Sequence, residues 1–130
     1  SRGNMTLAVM EGVAFALRDC MEVAKSNGIR VSSTRICGGG AKSRLWLRVM
    51  ANVMGIPVET VQIEEGPSYG AAILAMVACE RYNSVDEATK RLIRIKDTVL
   101  PDAQTVAKYE DKYRVFKMLY PALKDAFAKF

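Results

Sequence analysis

Three consecutive glycines, Gly38, Gly39 and Gly40, separate an apolar segment from an amphipathic one in ICGGGAKSRLWLRVM, residues 36–50. Each costs roughly 0.5–1 kcal/mol of extra ordering entropy relative to alanine inside regular structure, so the run needs a reason. Bare backbone is rewarded where the chain closely approaches an anion or a nucleotide. The favoured place is a strand feeding a capped helix, whose free N–H groups point at the ligand. Ser43 is the residue type that caps such a helix. Strand–glycine–helix turns also serve as plain connectors, and the spacing alone leaves both readings open. The stretch lacks the G-x-G-x-x-G of a dinucleotide fold. Ala41 separates Gly40 from Lys42, so it is not a Walker loop either.

Few other residues offer chemistry. Glu64 and Glu65 are adjacent carboxylates, readable as an acid–base or magnesium pair or as solvated capping groups. The chain has no histidine, and Cys20, Cys37 and Cys79 show no C-x-x-C spacing. A Cys/His zinc site is thereby excluded, and the thiols are expected to be buried in a reducing cytoplasm. The net charge is +5, but the basic residues form no stripe. The densest cluster, TKRLIRIK (89–96), alternates Arg94 and Lys96 with Ile93 and Ile95, as a solvated strand face or a phosphate-binding patch would. No nucleic-acid partner is expected, because Trp46 and the tyrosines fall at core-like helical spacings and build no stacking platform. No apolar run reaches the ~18 residues of a membrane span. The opening SRGNMTLAVMEG lacks the pattern of a signal peptide.

The elements that must position the glycines follow from periodicity and punctuation. A helix is expected from about Asn4 to Ser26, with Met10, Val13, Leu17, Met21 and Ala24 inward and Asn27-Gly28 as its stop. Val31 to Cys37 reads as a strand. Ser43 caps a second helix with Trp46, Val49, Met50 and Val53 on one stripe, ended by Gly55 and Pro57. Val58 to Ile63 reads as a strand. Gly66 and Pro67 precede a third helix whose Gly70, Ala71 and Ala72 permit close approach to a backbone or ligand. Ser84 and Glu87 form a capping box for a short helix. Leu92 to Val99 reads as extended. Asp102 opens a last helix with Val106, Tyr109, Tyr113, Phe116 and Tyr120 on one side, interrupted near Pro121. This order favours an α/β layered domain. Only two or three strands are visible, fewer than a covered parallel sheet usually has, so the chain is expected to be part of a longer polypeptide.

GGGAKSRLWLRVMANVMGIPV followed by EEGPSYGAAILA resembles the C-terminal part of the FGGY carbohydrate kinases, with the xylulokinases the most similar members. LAVMEGVAFALRD is similar to the helix before that motif, and YPALKDAF to the family's C-terminal helix. The resemblance covers essentially all of residues 1–130, as the C-terminal portion of the nucleotide-side domain. It implies an α/β fold: part of an actin-like, ribonuclease H-like ATPase domain, helix-rich with a short sheet. It also implies ATP with Mg2+, a small sugar substrate and a cytoplasmic setting. Gly38, Gly39 and Gly40 take the position of backbone contacts to the nucleotide, and Ser43 that of a contact to the base; Lys42 is expected to face solvent, with a phosphate contact as the alternative. Asn52 stands where many relatives carry Asp, which leaves a polar contact but no charged role. Arg44 replaces a frequent proline at the first helical position. The resemblance assigns no catalytic base and no metal ligand to this chain, because the base and most sugar contacts belong to the family's N-terminal part. Ribulose, gluconate and glycerol kinases share the architecture. A non-enzymatic actin-like nucleotide-binding module is the alternative of another class. An unpaired sheet edge also makes a homodimer one of the expected states.

Overall fold

The Ser1 hydroxyl accepts the Asn4 N–H at 3.3 Å, so helix α1 starts at Arg2 rather than Asn4 and runs to Ser26. The computed structural model describes residues 1–63 and 66–129. After Asn27 and Gly28 comes strand β1 (Thr34–Ile36), then a 3-10 turn (Gly39–Lys42) and helix α2 (Arg44–Met54). Strand β2 (Val58–Val61), helices α3 (Gly66–Ala78) and α4 (Val85–Leu92), strand β3 (Ile95–Val99) and helix α5 (Ala103–Phe127) follow. The sheet order is β1-β2-β3. β1 and β2 are parallel, with Thr34 beside Val58 and Ile36 beside Thr60. β3 returns antiparallel, with Val58 beside Val99 and an irregularity between Thr60 and Val61. This is the helix-rich α/β arrangement that the resemblance implies, with the strands shorter than the expected extended segments and Leu92 ending α4 rather than opening β3.

α2 packs against α1, α5 and the sheet. Its Leu47, Val49, Met50, Ala51 and Val53 are buried, and the core continues through Ala14 and Phe15 of α1, Val58 of β2, and Tyr109 and Tyr113 of α5. The Phe15 ring lies 5.3 Å from Phe116 and about 6 Å from Tyr109 and Tyr113, distances of favourable aromatic pairing. That cluster sets the inward face of α1 and corrects the expected stripe. Met21 is buried, but Val13 and Leu17 are 48% and 42% exposed. With Met5 and Val9 they form an outward apolar row. The three thiols are also exposed and unpaired, contrary to expectation, because none of their positions falls on the face packed around α2.

Polar contacts fix the three helices against one another. Arg18 donates to the Val53 carbonyl at 3.1 Å and to Glu110 at 2.5 Å, with its guanidinium 4.1 Å from the centre of the Tyr113 ring. One cation thus touches α1, the end of α2 and α5. The Tyr109 hydroxyl donates to Glu11 at 2.9 Å, and the Tyr113 hydroxyl donates to Asp19. Asn52 Oδ1 accepts the Asp102 N–H at 2.7 Å, a structural contact joining α2 to the start of α5. Asp102 caps α5 through Thr105, whose hydroxyl and amide hold the Asp102 carboxyl below its ordinary range. α5 runs through Pro121 without the expected interruption. Proline removes one helical donor there, but the surrounding turns are solvent-exposed, so the freed carbonyl can be hydrated.

Burial and the carboxylate of Glu11 push the Tyr109 phenol up to about 12, and burial with Asp19 pushes Tyr113 higher still. The folded state favours the neutral phenols. Their stabilisation is therefore intact below the ordinary tyrosine range near pH 10 and declines as pH rises above about 10. Urea denaturation between about pH 9 and 12 should show a shallower alkaline decline for the Tyr109→Phe, Tyr113→Phe double variant than for the native chain. Parallel declines would contradict this account of the two phenols.

Candidate nucleotide-binding turn

β1 ends at Ile36, and the chain must turn within a few residues to enter α2. Gly38 makes the turn at φ 75° and ψ −162°, a region open essentially to glycine alone. Its carbonyl accepts the Ala41 N–H at 3.1 Å, and the Gly40 carbonyl accepts the Ser43 N–H at 3.1 Å. A side chain on Gly40 would begin 3.0 Å from two atoms of the Trp46 indole. Gly38 and Gly40 are thus glycines for reasons internal to the protein. Gly39 is different. Its φ lies outside the left-handed region, and a Cβ there would meet nothing within 4 Å. The exposed middle glycine presents bare backbone outward.

Ser43 has extended backbone geometry, and its hydroxyl accepts the Trp46 N–H at 3.2 Å, so it is the N-cap of α2. Its capping role is realised, and the turn opens onto a helix N-terminus. Arg44, at the first helical position, pairs with Asp97 of β3 at 2.5 Å and ties the turn to the sheet. Lys42 is exposed, as expected. Beside the turn lies a cavity of about 290 Å³ bordered by Cys37, Ala41, Lys42, Thr60, Lys96 and Asp97. α3 starts close by: a side chain on Gly66 would begin 2.7 Å from Cys37 Sγ. Two helix N-termini therefore approach the carboxyl ends of the parallel strands β1 and β2, where open α/β sheets bind ligands.

The glycines and Ser43 form one continuous turn. Gly70, Ala71 and Ala72 lie further along α3, whose one buried residue is Ile73, and no side chain comes within 4 Å of a Cβ placed on Gly70. The adjacent carboxylates Glu64 and Glu65 lie outside the described residues. Among the described residues no three Cys, Asp or Glu side chains converge on a common point, so no magnesium site is assigned to them. The basic cluster divides between two elements, with Lys96 of β3 bordering the cavity beside the turn. Lys90 and Arg91 pair with Asp86 and Glu87 on α4, while β3 is a largely solvated strand. Among the described residues no helix is long and apolar enough to cross a membrane. Sequence reasoning missed the contact of Trp46 with Gly40, because the tryptophan's helical spacing marked it only as core.

The family to which this turn belongs is shown by comparison. Residues 1–79 match the model of the FGGY family of carbohydrate kinases, C-terminal domain, and the chain belongs to that family. It is 37% identical over 121 residues to the xylulose kinase of Escherichia coli K12, covering 92% of this chain and 25% of that protein. The crystal structure of xylulose kinase from Rhodospirillum rubrum superposes with a TM-score of 0.83 at 30% identity, over 98% of this chain and 26% of that one. Gluconate kinase from Lactobacillus acidophilus superposes with a TM-score of 0.88 at 23% identity, over 100% of this chain and 26% of that one, a likeness of fold. The fold is thus part of the actin-like ATPase architecture of these kinases. The chain spans about a quarter of the length of the relatives it matches.

Alanine substitutions separate the roles within the turn. Gly38→Ala should destabilise the chain by about 1–3 kcal/mol through its strained φ. Gly39→Ala should stay within about 1 kcal/mol of neutral, and Ser43→Ala should cost about 1 kcal/mol through the lost cap. Urea denaturation of the three variants checks the order. A Gly39→Ala cost as large as that of Gly38→Ala would mean that Gly39 is also structural.

Proposed function

We propose that residues 1–130 are the C-terminal portion of the nucleotide-side domain of an ATP-dependent sugar kinase, and that the turn Gly38–Ser43 binds the adenosine end of ATP. The observation that carries this reading is Gly39: a bare, exposed backbone position that neither its φ nor its packing requires to be glycine. A side chain on Gly39 would project into the open space through which a nucleotide would approach the backbone, beside the N-terminus of α2. Gly38 and Gly40 hold the turn in shape. Ser43, whose hydroxyl caps α2, would contact the base from the same position.

ATP bound there would supply the γ-phosphoryl group, a transfer that depends chiefly on positioning and charge neutralisation. This chain's residues would orient the nucleotide; the base and most sugar contacts would come from the rest of the intact protein, with Mg2+ accompanying the phosphates. D-xylulose, converted to D-xylulose 5-phosphate, is the substrate best supported, since xylulose kinases are relatives at 30–37% identity. Ribulose, gluconate and glycerol are the alternatives within the family. The free thiols suit a reducing compartment such as the cytoplasm.

In the intact protein, Gly39→Val should raise the KM for ATP by about tenfold or more while leaving the affinity for sugar alone unchanged. A KM for ATP equal to the native value would overturn the adenosine assignment. A coupled assay against xylulose, ribulose, gluconate and glycerol identifies the sugar, with the highest kcat/KM expected for xylulose.

The isolated 130-residue chain should phosphorylate none of these sugars. It should bind ATP no more tightly than about 1 mM, about 4 kcal/mol, because it offers one wall of the site. Calorimetric titration and the same assay check this, and turnover by the pure chain would refute it.

A further inference from the structure

Trp46 touches the turn at two points. Its indole edge, through Cδ1 and Nε1, stands 3.0 Å from where a side chain on Gly40 would begin. Its backbone N–H is held by the Ser43 hydroxyl at 3.2 Å. The ring is half-buried and packs against the core cluster that includes Met50 and Leu47. A second cavity, of about 320 Å³, lies beside it, lined by Leu17, Thr34, Met50 and Met54 among others. The indole thus has the glycine turn on one side and open space on another. The ring edge is therefore one wall of the turn. Where it rests determines how deeply Gly40 can sit, and so how Gly39 and the first N–H groups of α2 are presented.

We propose that Trp46 is a positioning residue for the nucleotide. Its ring edge stands against the glycine turn at Gly40, and its effect is read in ATP affinity without any contact of its own to the reacting atoms. The proposal rests on the adenosine reading of Gly38–Ser43. It adds to it a residue outside the turn and a physical coupling, ring against Gly40, that can be measured. If the coupling holds, a side chain added at Gly40 forces the indole toward the neighbouring cavity and distorts the turn. Shrinking the residue at position 46 then makes room for that side chain and recovers part of the loss.

Steady-state kinetics of the intact protein, with thermal unfolding run in parallel, tests this. Trp46→Ala should raise the KM for ATP about tenfold, with the KM for sugar held within about twofold. Trp46→Phe, which keeps a ring on the same side, should restore most of the ATP affinity. Gly40→Ala should also raise the KM for ATP. Gly40→Ala combined with Trp46→Leu should show a smaller rise than the product of the two single changes. If Trp46→Ala and Trp46→Leu lower the Tm but leave the KM for ATP unchanged while Gly39→Val still raises it, Trp46 is core alone and the proposal fails with the adenosine reading intact. If no substitution at positions 39, 40 or 46 alters the KM for ATP, both readings fail together.

Discussion

The burial of α2 on most of its circumference is the constraint from which the rest of the structure follows. Leu47, Val49, Met50, Ala51 and Val53 cannot reach solvent, because α1 and α5 pack on one side of the helix and the sheet on another. A helix enclosed in this way cannot slide or rotate without opening voids in a core packed to crystal-like density. Both ends are consequently fixed. At the C-terminal end Arg18 donates to the Val53 carbonyl, a cation against carbonyls that the helix leaves unpaired, and Gly55 closes the turn in the left-handed region. At the N-terminal end the chain has only the residues from Cys37 to Ser43 in which to climb from β1 to the helix cap.

That short climb explains why the glycines differ from one another. Gly38 absorbs the reversal in a backbone conformation other residues avoid, and Gly40 passes under the edge of a ring that belongs to α2 itself. Between them Gly39 has no such duty, and it faces outward beside the N-terminus of a helix that cannot retreat. Under the proposed reading, such a fixed turn would contribute positioning without having to be ordered on binding. The same rigidity passes to α5 through Tyr109, Tyr113, Glu110 and Asn52, each paired with a group on α1 or α2, or with the α5 cap.

What was legible in the sequence is what depends on near neighbours. Ser43 and Asp102 cap their helices by accepting N–H groups three residues on, so their role is readable from spacing. Ser84 does the same, with Glu87 reaching back to the Asn83 N–H rather than to Ser84 itself. The glycine run was legible as a turn at a strand–helix junction, because no other residue type tolerates that path at Gly38. What depends on distant partners was not legible. The inward face of α1 is chosen by aromatic rings on α5 about a hundred residues away, so periodicity alone placed Val13 and Leu17 in the core when Ala14 and Phe15 occupy it. Pro121 reads as a break in the sequence because the solvent exposure that reduces its cost is a property of the fold. Trp46 reads as core because nothing in its spacing reveals that its ring edge stands beside Gly40.

In the proposed reading the turn Gly38–Ser43 receives the adenosine end of ATP. Hydrogen exchange of the intact protein, followed by mass spectrometry with ATP, with sugar and with neither, tests it most directly, because it reads the backbone amides themselves. The account predicts slowed exchange in peptides spanning residues 37–47 when ATP is added and no change there with sugar alone. Unchanged exchange across that segment under saturating ATP, with protection appearing only elsewhere in the protein, would contradict it.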